Sequence, residues 1–188
     1  VSVYENVEGT QYASVLSQTI QVSITDEFGA FLYPNQFVNF TASSLAVQKG
    51  SELAYYCNND TEVVESVYNY IISNFKYDYD KAKNVKSGYI PDIDEVFTEK
   101  TGICFDYASV MAAMLRSQSI PTRLEVGYAG DEYHAWISTY IKDKGWINGI
   151  IEFNGKGWNM LDPTFASTSS SPKDFIAKDS DYIVKYVY

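Results

Sequence analysis

An amphipathic helix is predicted to begin within the stretch Thr101-Gly102-Ile103-Cys104-Phe105-Asp106-Tyr107-Ala108. The helix is expected to end by Ile120-Pro121, because proline disfavours helical geometry in the residue before it. A spacing of three, four and three residues gives such a helix one core-facing side. The apolar residues with this spacing are Phe105, Ala108, Ala112 and Leu115.

From Arg123 onward the sequence changes to the alternation and turn signals of β-strands. Helices followed by a run of strands predict an α+β fold with an antiparallel sheet. In this fold Cys104 begins a helix, His134 begins a strand and Asp162 ends another. The predicted strands are residues 124–128, 134–141, 146–153 and 158–161, with turns at 142–145 and 154–157.

The N-terminal part is predicted to be a β-rich lead-in over residues 1–52, with strands at 17–24 and 36–41. The core, with a C-terminal extension, is predicted to span residues 53–188. A polar connector that passes through Gly88 and Pro91 leads to the helix at Cys104. The core begins with a helix capped by Asp60, whose apolar face is Val63, Val64, Val67, Tyr70, Ile71 and Phe75.

Composition excludes several classes of partner. The 188 residues carry a formal charge of -10, which argues against nucleic acid and against an anionic membrane surface. No apolar run approaches the roughly 18–20 residues that span a bilayer. The chain starts at Val1 without the features of a signal peptide, so we expect that any such peptide was removed or never present. The two cysteines, Cys57 and Cys104, could form one disulfide, but we expect two free thiols.

The sequence contains one histidine. His134 follows Cys104 by thirty residues and precedes Asp162 by twenty-eight. A nucleophile, a general base and a carboxylate that orients the base are the three parts of covalent acyl-transfer catalysis. Since no second imidazole exists, replacing His134 tests this interpretation directly.

The predicted position of Cys104 favours its reactive form. A free thiol has a pKa of about 8.5, and both a helix N-terminus and a nearby imidazolium favour the thiolate. The backbone N–H of Cys104 is a candidate donor to an oxyanion, and Tyr77 is a candidate side-chain donor. Asp106 is expected to interact favourably with the helix dipole, although its charge slightly opposes thiolate formation.

Other interpretations remain open at this stage. His134 could be a hydrogen-bonded core residue, and Asp162-Pro163 could simply open a turn. Cys, His and Asp can also bind zinc, but no close ligand pair such as C-x-x-C occurs, and no metal is predicted. Cys57 is expected to be a small buried residue without chemistry. The tryptophans expected to pack in the sheet are Trp136, Trp146 and Trp158.

The flanking residues resemble a known family. The chain has, in order, Lys76-Tyr77-Asp78-Tyr79, the Cys104 stretch quoted above, Ile120-Pro121-Thr122-Arg123, Val126-Gly127-Tyr128, His134-Ala135-Trp136 and Leu161-Asp162-Pro163-Thr164. This order resembles the transglutaminase-like core domain of the papain-like cysteine protease superfamily, bacterial single-domain type, over residues 53–166. The resemblance implies a nucleophilic Cys104, a general base His134, an orienting Asp162, a thioester intermediate and no cofactor.

The expected function is hydrolysis of a peptide or isopeptide bond in a protein or peptide substrate, with a cell-wall component as one candidate. Two alternatives are a cross-linking transglutaminase and a silent cell-surface binding module. The family implies export or surface attachment. Two departures concern Ser119, where the family has glycine, and an additional hairpin around residues 147–157. We recognise no acidic cluster typical of the calcium sites in animal cross-linking enzymes.

Overall fold

The computed structural model describes residues 1–129, 131–142, 144–148, 150–153, 158–161 and 182–188. The helices of this part are α1 (Leu45–Ala54), α2 (Asp60–Asn74), α3 (Tyr79–Asn84), α4 (Ile93–Glu99) and α5 (Cys104–Arg116). The strands are β1 (Ser2–Glu8), β2 (Gln11–Ser17), β3 (Lys76–Tyr77), β4 (Thr101–Gly102), β5 (Thr122–Ala129), β6 (Glu132–Ile141), β7 (Gly145–Asn148), β8 (Ile150–Phe153), β9 (Trp158–Leu161) and β10 (Tyr182–Val187).

Helix α5 is the centre of the core. Every side chain from Asp106 to Arg116 is buried. The helix packs on β5 and β6 on one side and against α1, α2 and α4 elsewhere. The sheet beneath it is antiparallel, in the order β10-β5-β6-β7. The predicted α+β fold is therefore confirmed, with a cysteine at the first position of a helix packed on an antiparallel sheet.

The predicted strand at 146–153 is wrong as a single element. Residues 145–148 form β7, which pairs with the end of β6, whereas 150–153 form β8, which pairs with β9 in a separate two-stranded sheet. The predicted strand contains Asn148-Gly149, a pair typical of turns, at the point where the two strands divide. The predicted strands at 124–128, 134–141 and 158–161 are confirmed as β5, β6 and β9.

The predicted N-terminal strands are also wrong. The described chain forms a β1–β2 hairpin instead, with Gly9 at φ 55° in its turn. Residues 36–41 are not a strand, because the side chain of Asn35 accepts the N–H groups of Phe37 and Val38 at 3.0 and 2.9 Å. These two N–H groups are bonded to a neighbouring side chain and cannot pair with another strand. The predicted division between residues 52 and 53 lies within α1 and stays a prediction.

The connector contains two helices that sequence reasoning missed. An aspartate caps each of them: Asp78 accepts the N–H of Lys81 at 2.8 Å, and Asp92 accepts that of Glu95 at 3.0 Å. The cap of α2 is Asn59, whose side chain accepts the N–H of Glu62 at 3.1 Å, and not Asp60 as predicted. Asp and Asn are favoured N-cap residues, but a cap residue alone does not predict a helix. Sequence reasoning missed α3 and α4 because both are too short to show a clear apolar period.

Arg116 fixes the C-terminal end of α5 to three other segments. Its guanidinium donates to the carbonyl oxygens of Tyr33 at 2.9 Å, Thr122 at 2.9 Å and Tyr188 at 2.8 Å. Burial lowers the pKa of Arg116 to about 10, so the group is still charged at neutral pH. The residue therefore holds the end of β10 beside α5.

The chain reverses after α5 at Ser119, which has φ 62°. The N–H of Ser119 donates to the carbonyl of Arg116 at 2.9 Å, and that of Ile120 to Leu115 at 3.1 Å. These bonds satisfy carbonyls at the helix end. A left-handed conformation favours glycine, the residue that the resembled family usually has here, so the departure noted in the sequence carries a conformational cost.

Replacing Ser119 by Gly is expected to raise the free energy of unfolding by about 0.5–1 kcal/mol, because the strain at positive φ exceeds the entropy that glycine adds to the unfolded chain. Urea unfolding followed by circular dichroism measures this difference. Ser117→Gly is the matched control, since Ser117 has φ -64° and glycine should destabilise that position. A loss of stability in Ser119→Gly would contradict the strain assigned to this turn.

Candidate active site

Cys104 is the first residue of α5, with Ile103 as the N-cap. The preceding strand β4 pairs in parallel with β3, which sets Tyr77 opposite Gly102. The N–H of Asp78 donates to the carbonyl of Gly102 at 2.9 Å. This short parallel pair fixes the chain just before the helix. The first-turn N–H groups of a helix have no partner within it, and the structure places Cys104, whose N–H is a predicted oxyanion donor, in that turn.

His134 lies in β6 and is 5% exposed. Its strand partner is Gly127 in β5, where a side chain would collide with the carbonyl oxygen of Ile183 in β10. The imidazole stacks beside the ring of Trp136, with centroids 6.2 Å apart. The indole N–H of Trp136 donates to the buried carboxylate of Glu125 at 2.8 Å. His134 is thus packed on a ring that is itself held by a hydrogen bond.

One cleft of about 670 Å³ brings the two residues together. We define the cleft by its lining, which includes Cys104 and His134 and also Tyr77, the predicted oxyanion donor. Asp162, the predicted orienting acid, lies outside the described residues, directly after the end of β9. The remaining aromatic residues of the lining are Phe37, Tyr89, Phe105, Tyr133, Tyr186 and Tyr188.

Tyr133 is a cleft residue that sequence reasoning missed. Tyr133 lines the cleft although the residue is 60% exposed. Partial desolvation, and then the phenols of Tyr186, Tyr188 and Tyr128 and the thiol of Cys104, raise its pKa. The phenol therefore keeps its proton at neutral pH and can donate a hydrogen bond within the cleft. Its position directly before His134 is the only local signal, and a flanking tyrosine alone does not predict such a role.

Asp106, whose side chain is fully buried, forms an ion pair with the partly exposed Lys81 and so links the cleft wall to α5. Its carboxylate accepts the N–H of Ile103 at 2.8 Å and the hydroxyl of Tyr89 at 2.6 Å, and the Lys81 ammonium lies 2.8 Å away. A Cβ on Gly102 would lie 2.7 Å from that of Asp106, so only glycine admits this packing. Asp106 occupies the first turn as predicted, but its partners were missed because they are distant in sequence.

The partners of Asp106 titrate away from their ordinary values. Burial alone would lower the pKa of Lys81, but hydrogen bonds to Asp106 and Tyr89, with the charge of Asp106, raise it overall. Burial, and then the hydrogen bond to Asp106, raises the pKa of Tyr89 to about 12. At neutral pH the ammonium is therefore charged and the phenol neutral.

Both cysteines are free. Cys57 is partly buried, as a structural cysteine would be, and its thiol contacts the carbonyl of Leu53 at 3.3 Å and the hydroxyl of Ser66 at 3.4 Å. Within the described ranges, no group of three or more His, Cys, Asp or Glu residues is arranged to hold a metal ion. No helix in that same part of the chain has the length and apolar character to cross a membrane.

The sequence matches a family model described as the transglutaminase-like superfamily over residues 50–149. A curated relative, protein-glutamine gamma-glutamyltransferase of Pseudomonas aeruginosa, is 27% identical over 108 residues, which cover 48% of this chain and 14% of that protein. The chain spans between 14% and 31% of the length of the curated relatives it matches.

Two crystal structures share the fold. A candidate cysteine protease from Cytophaga hutchinsonii has a TM-score of 0.52 and 23% identity, covering 75% of this chain and 43% of that chain. The periplasmic domain of TgpA from Pseudomonas aeruginosa has a TM-score of 0.50 and 22% identity, covering 68% of this chain and 45% of that chain.

Replacing His134 by Gln is expected to slow iodoacetamide labelling of Cys104 at pH 6 about tenfold, because a nearby imidazolium favours the thiolate and glutamine carries no charge. Peptide mass spectrometry after timed labelling measures the rate. Cys57 is the internal control, and its rate should be the same in both proteins. Equal labelling of Cys104 in wild type and variant would mean that the imidazole does not activate this thiol.

Proposed function

Because the chain belongs to the transglutaminase-like superfamily, we propose that it catalyses cysteine-dependent acyl transfer from an amide, with Cys104 as nucleophile, His134 as general base and Asp162 as the acid that orients it. The observation that carries the proposal is a cysteine on the first turn of a buried helix that lines the same cleft as the single histidine. A helix N-terminus favours the thiolate, and an imidazole can carry its proton.

The reaction has two halves. The Cys104 thiolate adds to the amide carbonyl carbon, and the resulting oxyanion accepts hydrogen bonds from the N–H of Cys104 and from Tyr77. The C–N bond then breaks, the leaving amine takes a proton from the imidazolium of His134, and a thioester remains. In the second half His134 removes a proton from water or an amine, which attacks the thioester and releases the thiol.

Hydrolysis of a peptide or isopeptide bond is the version of this reaction that we propose first. The candidate cysteine protease of the same fold supports it. Cross-linking is the second version, supported by the gamma-glutamyltransferase relative, and it requires that an amine reach the thioester before water does. The two versions share the first half-reaction and differ only in the acceptor.

We further propose that the chain acts outside the cytoplasm, either exported or attached to the cell surface. Its substrate there would be a protein or peptide, with cell-wall-associated proteins among the candidates. The support is the periplasmic domain with the same fold. The formal charge of -10 is consistent with a partner other than nucleic acid. The cleft, rich in aromatic side chains, suits a peptide segment that buries apolar groups beside the scissile amide.

The first half-reaction is tested by trapping the thioester with hydroxylamine in the presence of a mixture of glutamine-containing and branched peptides. We expect hydroxamate to form with the wild type and not with Cys104→Ala, and His134→Ala to be slower by about 10²–10⁴-fold. Asp162→Asn keeps the Cys104 thiol but is expected to lose most of the rate of hydroxamate formation. Cys57→Ala is the matched control and should behave as the wild type.

The acceptor is identified in the same experiment by mass spectrometry. Peptide products with a free carboxylate indicate hydrolysis, and products that incorporate an added primary amine indicate cross-linking. Equal product formation by wild type and Cys104→Ala would contradict the proposed chemistry. Retention of a wall fraction by both proteins without any product would instead indicate a binding module.

A further inference from the structure

The carboxylate of Asp106 lies on the first turn of α5, two residues after Cys104, and is fully buried. Residues two apart rise only about 3 Å along a helix axis. Two such side chains point to different sides of the helix, but their Cα atoms are only about 5–6 Å apart, which is less than the distance of about 8–10 Å over which charges interact in salt. A buried anion at such a distance disfavours the formation of a second one. Without a counter-charge, Asp106 would oppose the Cys104 thiolate.

We propose that Lys81 keeps Cys104 reactive by cancelling the charge of Asp106, a role that rests on the proposed function. The Lys81 ammonium lies 2.8 Å from one carboxylate oxygen of Asp106. It also donates to the hydroxyl of Tyr89 at 2.7 Å, and this hydroxyl donates in turn to the other carboxylate oxygen at 2.6 Å. Lys81 is a positioning residue, since it does not contact the reacting atoms and acts only by offsetting the charge of Asp106.

The other titratable groups around Cys104 do not provide this counter-charge. Phenols are neutral at neutral pH, and the imidazolium of the proposed function is paired with the thiolate itself and does not offset Asp106. The Lys86 ammonium lies on an exposed part of the connector, where solvent screens it. No carboxylate lines the described part of the cleft. The groups that face the site are Tyr77 on β3, Lys86 and Tyr89 on the connector, Tyr133 and His134 on β6, and Tyr186 and Tyr188 on β10.

A purely structural tether makes a different prediction from a charge effect. If the ion pair only holds the cleft wall to α5, removing either partner should impair Cys104 in the same direction. If charge is what matters, the two single replacements act in opposite directions. Lys81→Met leaves an uncompensated anion near the thiol, whereas Asp106→Asn leaves an uncompensated cation and can still accept the N–H of Ile103.

The experiment measures the pH midpoint of Cys104 alkylation by iodoacetamide in the full chain. We expect the midpoint of Lys81→Met to rise by about one pH unit, which is a tenfold loss of thiolate at a fixed lower pH. The midpoint of Asp106→Asn should fall, and that of the double variant should return toward the wild-type value. Lys83→Met, on the exposed side of the same helix, is the matched control and should not change it.

Circular dichroism and the labelling of Cys57 establish that each variant is folded. If Lys81→Met does not fold, Asp106→Asn alone still tests the sign of the effect. Midpoints that rise in both single variants, or that do not move, would overturn the inference. His134→Gln separates this outcome from failure of the proposed function: if it leaves the Cys104 midpoint unchanged, the thiolate–imidazolium pair itself is absent.

Discussion

The carboxylate of Asp106 has no exposure to solvent, and donors from three parts of the chain converge on it. The N–H of Ile103 fixes the start of α5, while Lys81 and Tyr89 bring α3 and the connector against that start. A buried carboxylate without such partners would be costly. The constraint also explains Gly102, since any side chain there would collide with Asp106. The orientation of Cys104 and one wall of the cleft follow from the same group.

The other end of α5 is held by a charge as well. Arg116 is 2% exposed, and its three carbonyl partners come from the N-terminal segment, from β5 and from the residue after β10. Between these two ends the helix is packed on all sides by sheet and helices. Buried charges at both ends and core packing between them therefore position the cysteine. The bond from Arg116 to Tyr188 also holds the end of the chain where Tyr186 and Tyr188 line the cleft.

The parts that could be predicted from the sequence are those encoded over short distances. The start of α5 and the strands β5, β6 and β9 were predicted because their apolar periods are regular, and the family was recognised from ordered motifs and is confirmed. The predicted strand at 17–24 has a suitable alternation, but in the structure only Ser17, the end of β2, belongs to a strand. The ion pair between Lys81 and Asp106 was missed, because twenty-five residues separate its partners and no local pattern connects them.

The central claim is that Cys104 and His134 exchange a proton, and the single histidine makes this directly observable. The measurement is a pH titration of the imidazole signals by NMR in protein labelled with ¹³C-histidine, comparing wild type with Cys104→Ala. The account predicts that the imidazolium of the wild type persists to a higher pH, because a thiolate beside it stabilises the charged form. Identical titration curves for the two proteins would contradict the account.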